Sequence, residues 1–391
     1  MIRYIIASVG SQLKFGIRFW GIVTYLSLCA VKMDYAICEK WFDCQYLGVP
    51  PKNSPTIFGT IIKSVQSVKS IAKIKSMDFQ SEHSRPVVLL LASRPKFLVA
   101  SAAPVLVGSA LGYATAGTFS PILFILALLA IMALHAGANM ANDYFDHISG
   151  NDWANQNPTP FSGGSRYIQK GILSAKLILL SALAALAIGS AIGVVIVLLT
   201  RSLLILILGL IGLLAGFFYT APPVRLGYRG IGEFVIALLF GLLPVYASYY
   251  LQTKTIDLLP LLPACVVGIL IFLVILVNEF PDIAADAAVN KRTLVVCFGV
   301  SASISIYQTA LIASYIIAAA VMLIYSFMFF AGLFYLLTLP LAVVALKSAN
   351  EKDLTTAGRY RASQITVLLH LVGTLAFTVG LLTSRLLDTL F

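Results

Sequence analysis

From Phe97 onward the chain is built of long apolar runs separated by short polar ones, and within each run the apolar residues are continuous rather than alternating. Nine runs stand out, roughly 97–118, 119–142, 177–200, 202–223, 234–251, 258–278, 298–324, 325–346 and 364–384. Each is near or above the length of about 18 residues that a membrane-spanning helix requires. A transmembrane β-barrel is unlike this pattern, because its strands alternate between lipid-facing and lumen-facing residues. The expected fold is therefore an all-α polytopic membrane protein with nine transmembrane helices arranged as a bundle.

The polar connections supply the orientation, since cytoplasmic loops carry the excess of Lys and Arg. With the region before Phe97 inside, the loops after runs two, four, six and eight hold Arg166, Lys170, Lys176, Arg225, Arg229, Lys291, Arg292, Lys347, Lys352, Arg359 and Arg361. The opposite side holds only Arg201, Lys254 and Arg385. This asymmetry places the even-numbered loops in the cytoplasm, and the expected location is the cell (inner) membrane. Residues 1–84 form a separate basic extension of unknown role, and residues 85–391 form the nine-helix domain.

Charge changes the picture mainly at the amino terminus. The net charge is +11, and residues 1–96 carry 13 basic and 5 acidic residues, so most of the excess lies there. Beside a cytoplasmic leaflet such a stretch is attracted to anionic lipid head groups. No nucleic-acid module accompanies it, so no nucleic-acid partner is expected. Trp20 to Val31 is apolar but too short to span, and VPPKNSP at 49–55 is a break. Met77 opens MDFQSEHSRP just before the first span, which suggests a working start near that residue. Cys29, Cys38 and Cys44 fit no zinc spacing, and Cys265 and Cys297 are packing residues in or beside spans.

Acidic residues are scarce after Phe97, eleven in all, yet six fall in two places. Asp143, Asp146 and Asp152 follow run two in NDYFDHISGND, and Glu279, Asp282 and Asp286 follow run six in NEFPDIAADAAVNKRT. Asn142-Asp143-x-x-Asp146 matches Asn278-Glu279-x-x-Asp282 at an offset of 136 residues, an internal duplication that places a site between two halves. Asp143 and Asp146 are three apart, and Asp282 and Asp286 four apart, so each pair shares a face if its helix continues. Facing carboxylates in a low-dielectric bundle repel unless cations lie between them. Mg²⁺ suits them, because it takes oxygen ligands from a few carboxylates and from substrate phosphates. Asn139, Asn142 and Asn278 add neutral oxygens as ligands or as orienting groups. An acidic helix end alone is usually a solvated loop; two matched clusters in so acid-poor a chain favour a site.

Basic residues complete a phosphate site. FSGGSRYIQKG at 161–171 joins a flexible turn to Arg166 and Lys170, Lys291 and Arg292 follow the second acid cluster, and YTAPPVRLGYRGIGE at 219–233 adds Tyr219, Arg225 and Arg229. Backbone amides and guanidinium donors of this kind suit a diphosphate whose oxygens also bridge magnesium.

Taken in order, NDYFD-x-x-x-G-x-D, SGGSR, YTAPP-x-R-L-x-YRG-x-GE and NEFPD-x-x-x-D-x-x-x-x-KRTLVV resemble the motifs of the UbiA superfamily of intramembrane aromatic prenyltransferases, over about residues 85 to 390. Within it they are most similar to the 1,4-dihydroxy-2-naphthoate polyprenyltransferases of menaquinone biosynthesis. Asn290 departs from the glycine common before the Lys-Arg pair, and residues 1–84 have no counterpart in the pattern. The resemblance implies an enzyme that transfers a polyprenyl group from an allylic diphosphate to an aromatic acceptor. Asp143, Asp146, Asp282 and Asp286 would hold two Mg²⁺ ions on the diphosphate, with Asn142 and Asn278 as further ligands. Tyr219 would face the allylic cation. The acceptor stays open among 1,4-dihydroxy-2-naphthoate, 4-hydroxybenzoate, homogentisate, a chlorophyllide and a glyceryl phosphate; chain length and oligomeric state are not legible. A transporter is the remote alternative, disfavoured because runs three to nine carry no ionisable residue at mid-depth except His370, and His135 in run two reads as packing.

Overall fold

In a computed structural model, which describes residues 85 to 390, the chain is helical throughout the described part, and no strand occurs there beyond one isolated bridge between Arg229 and Arg292. The expectations about Trp20 to Val31, the break at 49–55, the three early cysteines and the start near Met77 lie outside the described residues.

The elements follow the apolar runs. A short helix α1 (Arg85–Ala92) precedes α2 (Pro95–Ala116), α3 (Pro121–Ser149) and the single turn α4 (Asn151–Ala154). Then come α5 (Ala175–Thr200), α6 (Leu203–Phe217), α7 (Gly232–Thr253), α8 (Leu261–Glu279) and α9 (Ile283–Ala288). The last are α10 (Leu294–Ile324), α11 (Phe329–Leu336), α12 (Leu339–Ser348), α13 (Glu351–Thr355) and α14 (Arg361–Leu390). Serines or threonines open several of them: Ser120, Ser174, Ser202 and Thr293 each accept a hydrogen bond from the amide three residues on.

Every one of the nine apolar runs carries helix, but the count of nine spans is not reproduced by helix length. Among the described residues, seven helices are long and apolar enough to cross a membrane, or eight if a bent pair counts as one. Run four yields only the fifteen residues of α6, which ends before Pro222 and Pro223. At 1.5 Å per residue that is about 22 Å, short of the roughly 30 Å hydrocarbon core. Run eight is the bent pair, turning by 46° between Leu336 and Leu339. There Thr338 caps the first piece by donating to the Tyr335 carbonyl at 2.7 Å, and Pro340 has no amide with which to continue the ladder.

Burial sorts the helices into a centre and a rim. Of their most apolar windows, α2 and α8 are 67% buried and α14 is 61%, whereas α3 is 11% and α5 22%. The centre is held by close backbone approach. Gly241, in a π turn at Leu238–Leu242 of α7, faces Gly268 of α8 so closely that a Cβ on either would collide with the opposite helix.

The loops after α3, α6, α9 and α12 gather at one end. Asn151 meets Asp286, Tyr228 meets Asp146, Arg229 bridges Arg292, and Phe161 packs on Tyr360 with ring centroids 5.9 Å apart. The other end joins different loops, with Gln252 bound to the Ser120 backbone and Tyr250 to Ser202. The eleven loop cations and both acid clusters therefore share one end of the bundle.

Candidate active site

The first acid cluster rides on an unbroken helix. Because α3 continues to Ser149, Asp143 and Asp146 lie one turn apart at its end, both buried. They take different partners. Asp143 is paired with the guanidinium of Arg94 and accepts from the Ser165 amide at 3.2 Å. Asp146 accepts from Asn142 Nδ2 at 3.0 Å and from the Tyr228 hydroxyl at 3.1 Å, and Lys291 Nζ stands 3.6 Å away.

The second cluster does not repeat the first. Pro281 breaks α8 after Glu279, and a turn of 3₁₀ helix, Phe280–Asp282, leads into α9, which carries Asp286. Two asparagines from α4 and the loop after it, spaced like the aspartates, reach across to them. Asn151 Nδ2 donates to Asp286 Oδ1 at 2.7 Å, and Asn155 Nδ2 donates to Asp282 Oδ1 at 2.8 Å. The Gly163 amide adds a bond to Asp282 Oδ2 at 3.1 Å. The Ser-Gly-Gly-Ser turn thus spends two of its amides, those of Gly163 and Ser165, on the aspartates of both clusters rather than leaving them for an anion. Its glycines adopt φ of 74° and 76°, a region open to glycine at little cost.

Several of these groups, Asp143 not among them, wall a cavity of about 210 Å³ between the halves. Asn139, Asn142, Asp146, Asp152, Tyr219, Asn278, Glu279, Asp282, Asp286 and Lys291 all face it, as do Arg94 and Asn151. Lys291 lies between the clusters, 3.4 Å from Asp286 Oδ1. Burial alone would lower its pKa, but the carboxylates of Asp146 and Asp286 more than offset that and hold the ammonium charged. Asp152 shows the opposite balance, with burial and then the charges of Asp146 and Asp143 pushing its carboxyl up to about 7. Burial likewise lifts the Tyr219 phenol well above its ordinary range, so it faces the cavity as a neutral ring.

The remaining basic residues of the sequence reading sit off the cavity wall. Arg166 turns its guanidinium to the Asp152 carbonyl, and Arg225 lies over the Tyr228 ring at 5.4 Å. Lys170 and Arg292 are exposed, and Arg292 joins the bridge to Arg229. Asn139 donates to the Ser93 carbonyl at 3.0 Å. Arg94, Tyr228, Asn151 and Asn155 escaped the sequence reading. The four-residue spacing of Asn151 and Asn155, matching Asp282 and Asp286, was the one available signal.

A second cavity, of about 220 Å³ and almost wholly apolar, adjoins the first. His135, Ala138, Gly216 and Phe240 line both. A charged chamber thus opens onto a greasy one, a shape suited to a molecule with an anionic head and a hydrocarbon tail.

Residues 101–352 match the model of the UbiA prenyltransferase family, and the chain belongs to that family, as a membrane-embedded prenyltransferase. It is 37% identical over 213 residues to the 1,4-dihydroxy-2-naphthoate octaprenyltransferase of Haemophilus influenzae, covering 53% of this chain and 68% of the relative. With the enzyme of the same name from Escherichia coli the identity is 30% over 317 residues, 78% of this chain and 98% of the relative. Among solved structures, a UbiA homolog from Archaeoglobus fulgidus bound to GPP and Mg²⁺ shares the fold with a TM-score of 0.54 at 16% identity, covering 74% of this chain and 99% of that one.

Proposed function

We propose that the protein transfers a polyprenyl group from an allylic diphosphate to 1,4-dihydroxy-2-naphthoate, the step that attaches the tail in menaquinone synthesis. The observation that carries this reading is the pair of adjoining cavities, one walled by Asp146, Asp282, Asp286 and Lys291 and the other by apolar side chains only a few residues away. The choice of acceptor is supported by the bacterial relatives, which are 1,4-dihydroxy-2-naphthoate octaprenyltransferases.

The donor set fits Mg²⁺. It consists of hard oxygens, and Asn278 Oδ1 is buried without any hydrogen-bond partner, so acceptor capacity is left over beside the aspartates. Asp143, Asp146, Asp282 and Asp286, with Asn142 and Asn278, would hold two ions. Bound there, they would neutralise the diphosphate and so favour its departure.

The chain's own residues do the rest. Lys291 presents its ammonium to the diphosphate oxygens, while Asn151 and Asn155 keep Asp286 and Asp282 from swinging away. Tyr219 offers the face of its ring to the allylic carbon as positive charge develops. The apolar chamber takes the isoprenoid tail and excludes water from the cation. The bond from the allylic carbon to the diphosphate oxygen breaks, a bond to the naphthoate ring carbon forms, and the ring carboxylate leaves as carbon dioxide. The excess of Lys and Arg at the active end supports a cytoplasmic orientation for it.

The test is product formation by purified protein supplied with labelled prenyl diphosphate and, separately, 1,4-dihydroxy-2-naphthoate, 4-hydroxybenzoate, homogentisate, a chlorophyllide and a glyceryl phosphate. Prenylation with carbon dioxide release from the naphthoate alone is expected. Turnover of another acceptor but not of naphthoate would reassign the substrate.

A further inference from the structure

One cation in the cavity is unexplained by the scheme above. Arg94 precedes α2 and lines the chamber beside the first acid cluster. Its backbone is left-handed, with φ 56° and ψ 60°, although the next residue is Pro95. A residue before proline favours extended backbone, and a non-glycine residue in the left-handed region costs on the order of 1 kcal/mol or more. Capping does not account for the strain, because the Arg94 side chain makes no cap hydrogen bond to α2. What the conformation achieves is delivery of the guanidinium to Asp143.

The surroundings are shaped for that contact. Gly164 has φ 76°, and a Cβ there would lie 3.1 Å from Asp152 Oδ1, 3.2 Å from Asp143 Oδ1 and 3.3 Å from Arg94 Nη2. The loop therefore closes over an arginine flanked by two carboxylates. The pairing also leaves capacity unused: Arg94 Nε is buried and has no partner. A planar guanidinium whose fork is incompletely filled is suited to an anion that presents two or more oxygens to it, such as a phosphate.

We infer that Arg94 is an internal counter-ion of the donor site, holding Asp143 against free divalent cations in the empty enzyme and turning its guanidinium to the diphosphate when that substrate enters. This rests on the diphosphate-and-metal reading of the cavity. A fixed positive charge on a carboxylate repels a metal ion seeking the same oxygens, and the repulsion is large where water is scarce. When the diphosphate arrives, the arginine exchanges one anion for another and Asp143 becomes free to take metal. Metal and donor then bind together, and metal alone binds poorly.

The experiment is a Mn²⁺ titration of the full-length protein in detergent, followed by electron paramagnetic resonance, with and without inorganic pyrophosphate. Mn²⁺ replaces Mg²⁺ because it prefers the same oxygen ligands. Wild type, Arg94→Ala, Arg94→Lys and the far-end control Arg201→Ala are compared. Without pyrophosphate, Arg94→Ala is expected to bind Mn²⁺ at least tenfold more tightly than wild type; with Mn²⁺ present, it should bind pyrophosphate at least tenfold more weakly. Arg94→Lys should keep metal affinity near wild type, because it keeps the charge, and should still lose pyrophosphate affinity, because it loses the fork. A gain in metal affinity on removing a side chain is not what a merely structural residue would give. If Arg94→Ala is folded and binds Mn²⁺ no more tightly than wild type, the inference is overturned. If Arg94→Ala does not fold, unchanged pyrophosphate affinity in Arg94→Lys overturns it. If wild type binds no Mn²⁺ even with pyrophosphate, the metal reading of the cavity fails instead, which separates the two ideas.

Discussion

Replacing Asn151 by leucine removes one donor from the second acid cluster while nearly keeping the side-chain volume. Asn151 is buried, and its Nδ2 lies 2.7 Å from Asp286 Oδ1. A hydrogen bond to a charged group contributes about 1.5–3 kcal/mol. Lys291 remains 3.4 Å from the same oxygen, so Asp286 would not be stranded and the lower part of that range applies, about 2 kcal/mol. If the bond serves to aim Asp286 at metal and diphosphate, the loss falls on kcat/KM for the prenyl donor, and about 2 kcal/mol is roughly thirtyfold. Asn155→Leu, which releases Asp282 from a 2.8 Å bond, should have a comparable effect. Because both bonds tie one turn of helix to the same acid cluster, the double variant should lose less than the product of the single losses. Steady-state kinetics with the donor varied at saturating Mg²⁺, beside thermal melts in chelator, makes the measurement. A lowered melting temperature with kcat/KM within twofold of wild type would show that the asparagines only hold loops together, and the aiming role would be refuted.

Excess chelator should abolish turnover, and Mg²⁺ or Mn²⁺ should restore it; full activity in chelator would contradict the mechanism. Lys291→Ala should cost on the order of 10² to 10³ in rate, the scale of a lost charge contact in the transition state. Lys347→Ala, at an exposed position, should change stability by about 1 kcal/mol or less and leave kcat near wild type in the same assay. Asp152, held at about 7 by burial and its acidic neighbours, favours the protonated form in the folded state. The stability this provides is present below its ordinary pKa and is lost as pH rises through about 7, so melts in chelator should fall between pH 5 and 8 in wild type and fall less in Asp152→Asn. Cysteines placed at the exposed Gln156 and Asn290, in a background without the native ones, should label from the same side of the membrane, and one at Thr255 from the other; labelling of 156 and 290 from opposite sides would separate the two acid clusters.

Much of the protein could be read from the chain alone, for a physical reason. A helix in lipid must satisfy its own backbone hydrogen bonds, so a long continuous apolar run has few alternatives, and all nine runs are helical. The acid clusters were equally visible, because a carboxylate near the bilayer is costly enough to stand out in an apolar chain. Helix length was less secure: the prolines ending α6 and bending run eight were in plain view, but how far each helix runs before them depends on packing. The partners of the aspartates were beyond reach altogether. Arg94 meets Asp143 across 49 residues, Tyr228 meets Asp146 across 82, and Asn151 meets Asp286 across 135. No periodicity records such contacts, since each depends on how separate helices are packed. The sequence singled out Arg166 for the diphosphate and passed over Arg94, and only the tertiary structure turned the first toward a backbone carbonyl and set the second on Asp143 at the cavity wall.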